Sequence, residues 1–165
     1  AENAHIKAKP ICEASGLPTL ADDSGLMVEA LGGAPGVYSA RYCGRHGNDE
    51  ANNDKLLAEL AGVEEGKRAA KFVSAVCFYL PEGRSVTYLG ECPGRVIFER
   101  RGTNGFGYDP LFVPDDVGLA EGGVRPNTEG RTYAELEAIE KDAISHRGKA
   151  MALLDKNLAA FLNEG

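Results

Sequence analysis

Apolar residues recur at helical spacing in three parts of the chain. Residues 2–14 predict a first helix, although Pro10 interrupts its pattern. Residues 49–60 predict a second helix, because Asn48 or Asp49 can cap its start and three leucines fall on one side. The predicted apolar face of the first helix consists of Ala4, Ile6, Ala8 and Ile11.

The C-terminal part of the chain predicts helix from Thr132 onward. Glu135 follows Thr132 at the spacing of a capping box, which marks a helix start. The helical pattern then continues in pieces that join near Ser145. The last piece has a clear apolar face, formed by Met151, Leu154, Leu158 and Phe161.

Shorter apolar and β-branched runs predict strands between these helices. The strongest is residues 70–80, and residues 85–90 and 95–100 would continue from it as an antiparallel meander. Residues 18–21 predict a short buried strand that ends just before two aspartates. Residues 108–113 predict another strand.

Together these elements predict an α/β fold. A length of 165 residues fits one domain, which we take to cover residues 1–165. Residues 27–42 and 117–131 are rich in glycine, and the second stretch is a candidate for a flexible loop insertion. No apolar run approaches the length of a membrane span, and no signal-peptide pattern opens the chain.

The charge balance narrows the choice of partners. Eighteen basic residues stand against 25 acidic ones, so the formal net charge is −7. This excess of acid disfavours a nucleic-acid polymer as partner but leaves open a small phosphate-bearing ligand held by a local group of cations. The four cysteines have no metal-binding spacing, which favours reduced thiols and a cytoplasmic location.

Two adjacent carboxylates, Asp22 and Asp23, follow the predicted strand 18–21 and precede Ser24. Ligands collect beyond the carboxyl ends of strands in open α/β sheets, so the pair suggests a metal ligand or a general base. Mg²⁺ usually takes one or two carboxylates together with substrate phosphates. A helix cap followed by a turn is the alternative interpretation.

A second candidate is the glycine-rich stretch of residues 102–110. Glycines around Phe106 and before Asp109 allow a ligand to approach the backbone closely, Phe106 offers a stacking face, and Asp109 can accept two hydrogen bonds. This set suits a planar heterocycle that carries N–H groups. A loop whose aromatic side chains simply cover the core is the alternative.

The third candidate lies in residues 141–147. Lys141 and Ser145 are four residues apart and share a helical face, while His146 and Arg147 fall near a helix junction, where donors can converge on an anion or a carbonyl. A solvated charged face is the alternative interpretation of this run, and also of Lys7 near the start of the chain.

Four segments together resemble the signature of the inosine triphosphate pyrophosphatase (Ham1) family. They are residues 21–26 (ADDSGL), 30–41 (ALGGAPGVYSAR), 105–112 (GFGYDPLF) and 143–148 (AISHRG), in the family's order. The resemblance implies a mixed central sheet flanked by helices, the ITPase-like (Maf/Ham1) architecture. It also implies Mg²⁺-dependent hydrolysis of ITP, dITP or XTP to the monophosphate and pyrophosphate, and a homodimer.

The same resemblance implies roles for individual residues. Asp23 matches the Mg²⁺ ligand and proton acceptor, and Lys7 matches a lysine that faces the triphosphate. Asp22, the acidic neighbour of Asp23, is expected to share its catalytic work. The residues that match substrate contacts are Ser24, Phe106, Gly107, Tyr108, Asp109, Lys141, His146 and Arg147. A donor such as Arg147 at O6 of the base would favour hypoxanthine and xanthine over adenine, whose amino group stands there.

Two departures from the family pattern bear on these expectations. The family's initial strand and phosphate loop do not precede residue 2, so we expect a domain whose N-terminal part is missing from this sequence. Residues 117–131 are also longer than the pattern. The alternatives are a nucleotide-binding module with impaired catalysis, if the shorter N-terminus is natural, and a pyrophosphatase for another modified nucleotide, such as a pyrimidine one.

Overall fold

The computed structural model describes residues 2–164 and contains both helices and strands. The helices are α1 (Glu2–Ser15), α2 (Asp49–Glu59), α3 (Ala138–Asp142) and α4 (His146–Asn163). The strands are β1 (Thr19–Val28), β2 (Ala69–Tyr79), β3 (Ser85–Val96), β4 (Phe112–Pro114), β5 (Asp116–Gly118) and β6 (Val124–Pro126). Short 3₁₀ turns cover Glu29–Leu31, Gly36–Arg41, Asp109–Leu111 and Tyr133–Glu135. Within residues 2–164, no helix is both long and apolar enough to cross a membrane.

The main sheet has four strands in the order β1-β2-β3-β4. A tight turn joins β2 to β3, in which the Leu80 amide donates to the Arg84 carbonyl at 2.8 Å, and such a turn makes the pair antiparallel. β3 and β4 are also antiparallel, with Arg95 opposite Val113, and β5 and β6 form a separate hairpin. The predicted α/β class is confirmed.

The chain divides into two compact units, and β1, β2 and β3 each contribute residues to both. The first unit contains residues 2–24, 73–91 and 146–164. In its core, α1 residues pack with the β2 residues Ala75, Cys77 and Tyr79. α4 buries Ala150 and Leu154 beside Val76, which confirms most of its predicted apolar face.

The second unit contains residues 25–72 and 92–145. Three aromatic rings form the centre of its core: Phe112 lies 4.8 Å from Phe72 and 4.9 Å from Tyr133 between ring centroids. Leu56 of α2 and Leu60, which directly follows the helix, are fully buried in the same cluster. The prediction of one domain over 1–165 stays a prediction, and its end residues Ala1 and Gly165 lie outside the described residues.

The predicted face of α1 is wrong in part. Ala4, Ala8 and Cys12 are buried, whereas Ile6 and Ile11 are exposed. Residues four apart lie on one helical face, so the small side chains at 4, 8 and 12 form the contact. Small residues let α1 approach the sheet closely, and apolar character alone did not identify that face.

Two strands have other bounds than the sequence predicted. β1 continues through Asp22 and Asp23 to Val28, because pairing within the sheet extends a segment whose own residues disfavour strands. β3 is one strand that ends at Val96, where the sequence predicted two strands, 85–90 and 95–100. A Cβ at Gly90 would collide with the His146 carbonyl, so Gly90 permits close packing of α4 rather than ending the strand.

Three further segments differ from prediction in detail. Residues 108–113 begin with a 3₁₀ turn and only then enter β4, and residues 133–135 form a 3₁₀ turn, although the predicted Thr132–Glu135 capping box is present. The stretch 117–131, predicted as a loop, contains most of the β5–β6 hairpin. Its predicted flexibility stays a prediction.

Candidate functional site

In the first unit, Asp23 of β1 forms an ion pair with Lys7 of α1. Lys7 Nζ lies 2.9 Å from Asp23 Oδ1 and also donates to the Asp22 carbonyl at 3.2 Å. The Asp23 side chain is 25% exposed and that of Lys7 53%, so both remain accessible to solvent. The structure thus brings together the carboxylate and the lysine that the sequence proposed for phosphate chemistry.

Asp22 binds a different cation. Its Oδ2 lies 2.9 Å from Nε of Arg147, the second residue of α4. Consecutive side chains of a strand leave opposite faces, so Asp22 and Asp23 point away from each other. One face of β1 therefore carries the Asp23–Lys7 pair and the other the Asp22–Arg147 pair.

Ser24 and His146 complete the predicted residues of the first unit. Ser24 lies 3.1 Å from Ser74 between hydroxyl oxygens, and Ser74 is a fully buried residue of β2 that the sequence analysis did not single out. His146 is the first residue of α4 and is half-buried. Ser74 is 50 residues from Ser24 in sequence, so no local pattern indicated this contact.

A divalent metal ion at Asp23 would need ligands besides this one carboxylate. Among residues 2–164, no group of three or more His, Cys, Asp or Glu side chains is placed to hold a metal. Because Asp22 and Asp23 leave opposite faces, one ion cannot readily use both. A single accessible carboxylate such as Asp23 is compatible with Mg²⁺, whose remaining ligands are usually waters and substrate phosphates.

In the second unit, Asp109 and Lys141 form a buried ion pair. Lys141 Nζ lies 2.7 Å from Asp109 Oδ2, with the aspartate side chain 5% exposed and the lysine 20%. Burial raises the pKa of Asp109 above its ordinary value, and the bond to Lys141 offsets this only in part. Lys141 Nζ also lies 4.9 Å from the centroid of the Tyr133 ring.

Phe106 lies beside this pair, on a loop that Asp109 closes. The Phe106 amide donates to Asp109 Oδ2 at 3.1 Å, and the centroid of its ring lies 5.3 Å from Lys141 Nζ. The residue as a whole is 75% exposed. Gly105 has a positive φ of 75°, and a Cβ there would collide with the Asp109 carboxylate. The loop thus presents an aromatic face next to an ionised donor.

Tyr108 is buried in the second unit. Its hydroxyl donates to the Ser39 carbonyl at 2.6 Å, and burial raises the pKa of Tyr108, so the phenol remains protonated. The hydroxyl is therefore committed to anchoring the loop, whereas its predicted substrate contact stays a prediction.

Two further residues hold the same loop and were missed by the sequence analysis. The Gly107 amide donates to Asp49 Oδ2 at 2.9 Å, and Asn53 Nδ2 donates to the Gly107 carbonyl at 3.0 Å. Both side chains come from α2, more than 50 residues earlier in sequence, so no local pattern could link them to the loop.

Comparisons with known proteins show which family this chain resembles in sequence. A sequence model of the Ham1 family matches residues 1–157. The chain is 54% identical to a dITP/XTP pyrophosphatase of Corynebacterium efficiens, over 99% of this chain and 76% of the relative.

Solved structures of similar proteins also superimpose on this chain. The Ham1 protein of Staphylococcus aureus superimposes with a TM-score of 0.82 at 37% identity, over 96% of this chain and 76% of that one. A nucleoside-triphosphatase / dITP/XTP pyrophosphatase from Mycobacterium abscessus gives 0.75 at 47% identity, over 93% and 74%.

Proposed function

Since this chain belongs to the Ham1 family, we propose that it hydrolyses non-standard purine nucleoside triphosphates such as ITP, dITP and XTP. The products are the nucleoside monophosphate and pyrophosphate, and the reaction removes these nucleotides from the pool. The observation that carries this proposal is the 54% identity, across nearly the whole chain, to a protein named dITP/XTP pyrophosphatase.

The Asp23–Lys7 pair supports the hydrolytic part of the proposal. Water attacks the α-phosphorus, and negative charge develops on the departing pyrophosphate. Asp23 orients this water and accepts its proton, while the Lys7 ammonium 2.9 Å away stabilises phosphate charge. Asp23 would also hold Mg²⁺, which when bound supplies positive charge to the phosphate oxygens.

Asp22 and the start of α4 have a supporting role in this proposal. Asp22 acts as a positioning residue through its ion pair with Arg147. Arg147 and its neighbour His146 are proposed to contact substrate, and so is Ser24, whose hydroxyl Ser74 holds.

The loop in the second unit is proposed to recognise the base. Phe106 stacks on the purine ring. Lys141, whose Nζ lies 5.3 Å from the centre of the Phe106 ring, donates toward an oxygen acceptor such as O6. It takes the place of the expected Arg147, which is paired with Asp22. Adenine carries an amino group at that place, which would leave donors unpaired at about 1–3 kcal/mol for each buried group. Gly107, Tyr108 and Asp109 hold the backbone that sets this geometry.

The remaining proposals concern the setting of the enzyme. We propose that it works as a homodimer with Mg²⁺ in the cytoplasm and has no nucleic-acid partner. The excess of acidic residues and the free thiols of Cys12, Cys43 and Cys77 are compatible with this. Light scattering would test the dimer.

Product analysis tests the reaction. With ITP and Mg²⁺, the wild type should release pyrophosphate and IMP, while release of orthophosphate and IDP would refute the proposal. Lys7→Met should lower turnover by about 10²–10³-fold, the range for removing one charge-stabilising donor. Lys9→Met, on the exposed side of the same helix, is the matched control and should retain activity.

A further inference from the structure

Phe106 has an unusual setting for an aromatic residue, because the residue is 75% exposed. Little packing surface therefore holds the ring. Its direction depends on the backbone on either side of it. The residue that follows, Gly107, has a positive φ of 59° and no side chain of its own to restrain it.

Helix α2 supplies the missing restraint. The Gly107 amide donates to Asp49 Oδ2 at 2.9 Å, and the Gly107 carbonyl accepts from Asn53 Nδ2 at 3.0 Å. Both polar backbone groups of one residue are thus bound by the same helix. Asp49 and Asn53 are four residues apart and so share a helical face.

The burial of Asn53 indicates what this position requires. The residue is 2% exposed, and its Oδ1 is buried without a hydrogen-bond partner in residues 2–164. An apolar side chain would avoid the cost of that unsatisfied oxygen. Asn52, equally buried, uses both ends of its amide, on the Cys43 amide and the Ala40 carbonyl. At position 53, the hydrogen bond from the amide nitrogen to the Gly107 carbonyl is the interaction that a polar side chain provides and an apolar one would lose.

We propose that Asp49 and Asn53 are positioning residues that determine base selectivity by holding Gly107, and with it the ring of Phe106. This proposal rests on the proposed function. The Phe106 amide and Lys141 Nζ bind the same oxygen of Asp109, so a shift at Gly107 changes the distance between the stacking face and the donor. The base then fits less well, while the phosphate chemistry, which uses other residues, continues.

Kinetics on ITP and ATP test the selectivity. Asp49→Ala and Asn53→Leu should each raise KM for ITP by about tenfold and lower the ITP-to-ATP ratio of kcat/KM by a similar factor, with kcat within about threefold of wild type. Asp49→Asn keeps an acceptor for the Gly107 amide and should restore both values. Glu50→Gln is the matched control: it removes a charge from the same turn of α2, and its carboxylate faces Arg100 instead of the loop.

A second measurement needs no activity. The chain contains no tryptophan, so Phe106→Trp places a single fluorescent reporter on the loop. In that background, Asp49→Ala and Asn53→Leu should lower the residual anisotropy of the tryptophan, and Glu50→Gln should not. If Asn53→Leu fails to fold, Asp49→Ala decides, because Asp49 is exposed.

The two measurements separate the possible failures. Unchanged anisotropy overturns the positioning role, and changed anisotropy with an unchanged ITP-to-ATP ratio overturns the link to selectivity. A wild type that releases no pyrophosphate from any purine triphosphate refutes the proposed function and the selectivity claim together. Anisotropy still decides in that case whether α2 holds the loop.

Discussion

Replacing Lys141 with methionine should expose the cost of the buried Asp109 carboxylate. Methionine has a similar length and no charge, so the change removes the cation 2.7 Å from the carboxylate of Asp109, a side chain that is 5% exposed in the wild type. Burial already raises the pKa of Asp109 even with Lys141 present. Without the lysine, the pKa of Asp109 should rise further.

The expected loss of stability depends on pH. Removing one partner of a buried ion pair costs about 3–5 kcal/mol while the other stays charged. Protonation of Asp109 limits this cost to about 1.36 kcal/mol for each pH unit above its ordinary pKa of about 3.9. The limit is about 4.9 kcal/mol at pH 7.5 and about 1.5 kcal/mol at pH 5.0.

The direction of this pH dependence follows from proton binding. Because the pKa of Asp109 is raised in the fold, the folded state binds more protons than the unfolded state between the ordinary and the raised value. Stability therefore falls as pH rises through that window, and Lys141→Met extends the window upward.

Urea unfolding followed by circular dichroism measures the effect at both pH values. Lys141→Met should lose about 3–5 kcal/mol at pH 7.5 and at most about 1.5 kcal/mol at pH 5.0. The double variant Lys141→Met/Asp109→Asn, which buries no charge, should recover most of the loss. A loss that is equal at the two pH values, or larger at pH 5.0, would refute this reasoning.

Three further changes have defined outcomes. Gly90→Ala should lower the free energy of unfolding, measured in urea, by about 1–3 kcal/mol, because the new Cβ would collide with backbone atoms of α4. Gly62→Ala is the control: a Cβ there meets no other atom, so the free energy of unfolding should change by no more than about 0.5 kcal/mol. Asp23→Asn should lower kcat by about 10²–10⁴-fold in a pyrophosphate-release assay with little change in melting temperature, and near-normal turnover would remove it from the mechanism. Tyr108→Phe removes the donor to the Ser39 carbonyl and should cost about 1–2 kcal/mol, and an unchanged unfolding midpoint would contradict that role.

Local sequence patterns were sufficient to predict helices α2 and α4. α2 begins where Asn48 caps it, with its side chain accepting from the Ala51 amide, and α4 buries Leu154 and Phe161 as their spacing predicts. The extent of β1 was not predictable, because it depends on pairing with a strand about 50 residues away. The sequence analysis ended a strand at Gly90 for a similar reason. Gly90 allows α4 to pack closely on β3, and α4 comes much later in the chain.

The candidate site shows the same division. Asp23 and Lys141 were identified because each lies in a short recognisable motif. The contacts within the site could not be predicted from local sequence, since Asp109 is 32 residues from Lys141 and Asp49 is 58 residues from Gly107. Which donor meets which acceptor is a property of the fold, and the burial that raises the pKa of Asp109 is equally non-local.

The central claim is that this chain is a pyrophosphatase that selects oxo-purines. Its most direct test is the ratio of kcat/KM for dITP to that for dATP, measured as pyrophosphate released with Mg²⁺. Two mismatched groups at about 1–3 kcal/mol each predict a ratio between about 30 and about 10⁴, with pyrophosphate as the product. Equal turnover of dITP and dATP would contradict the account.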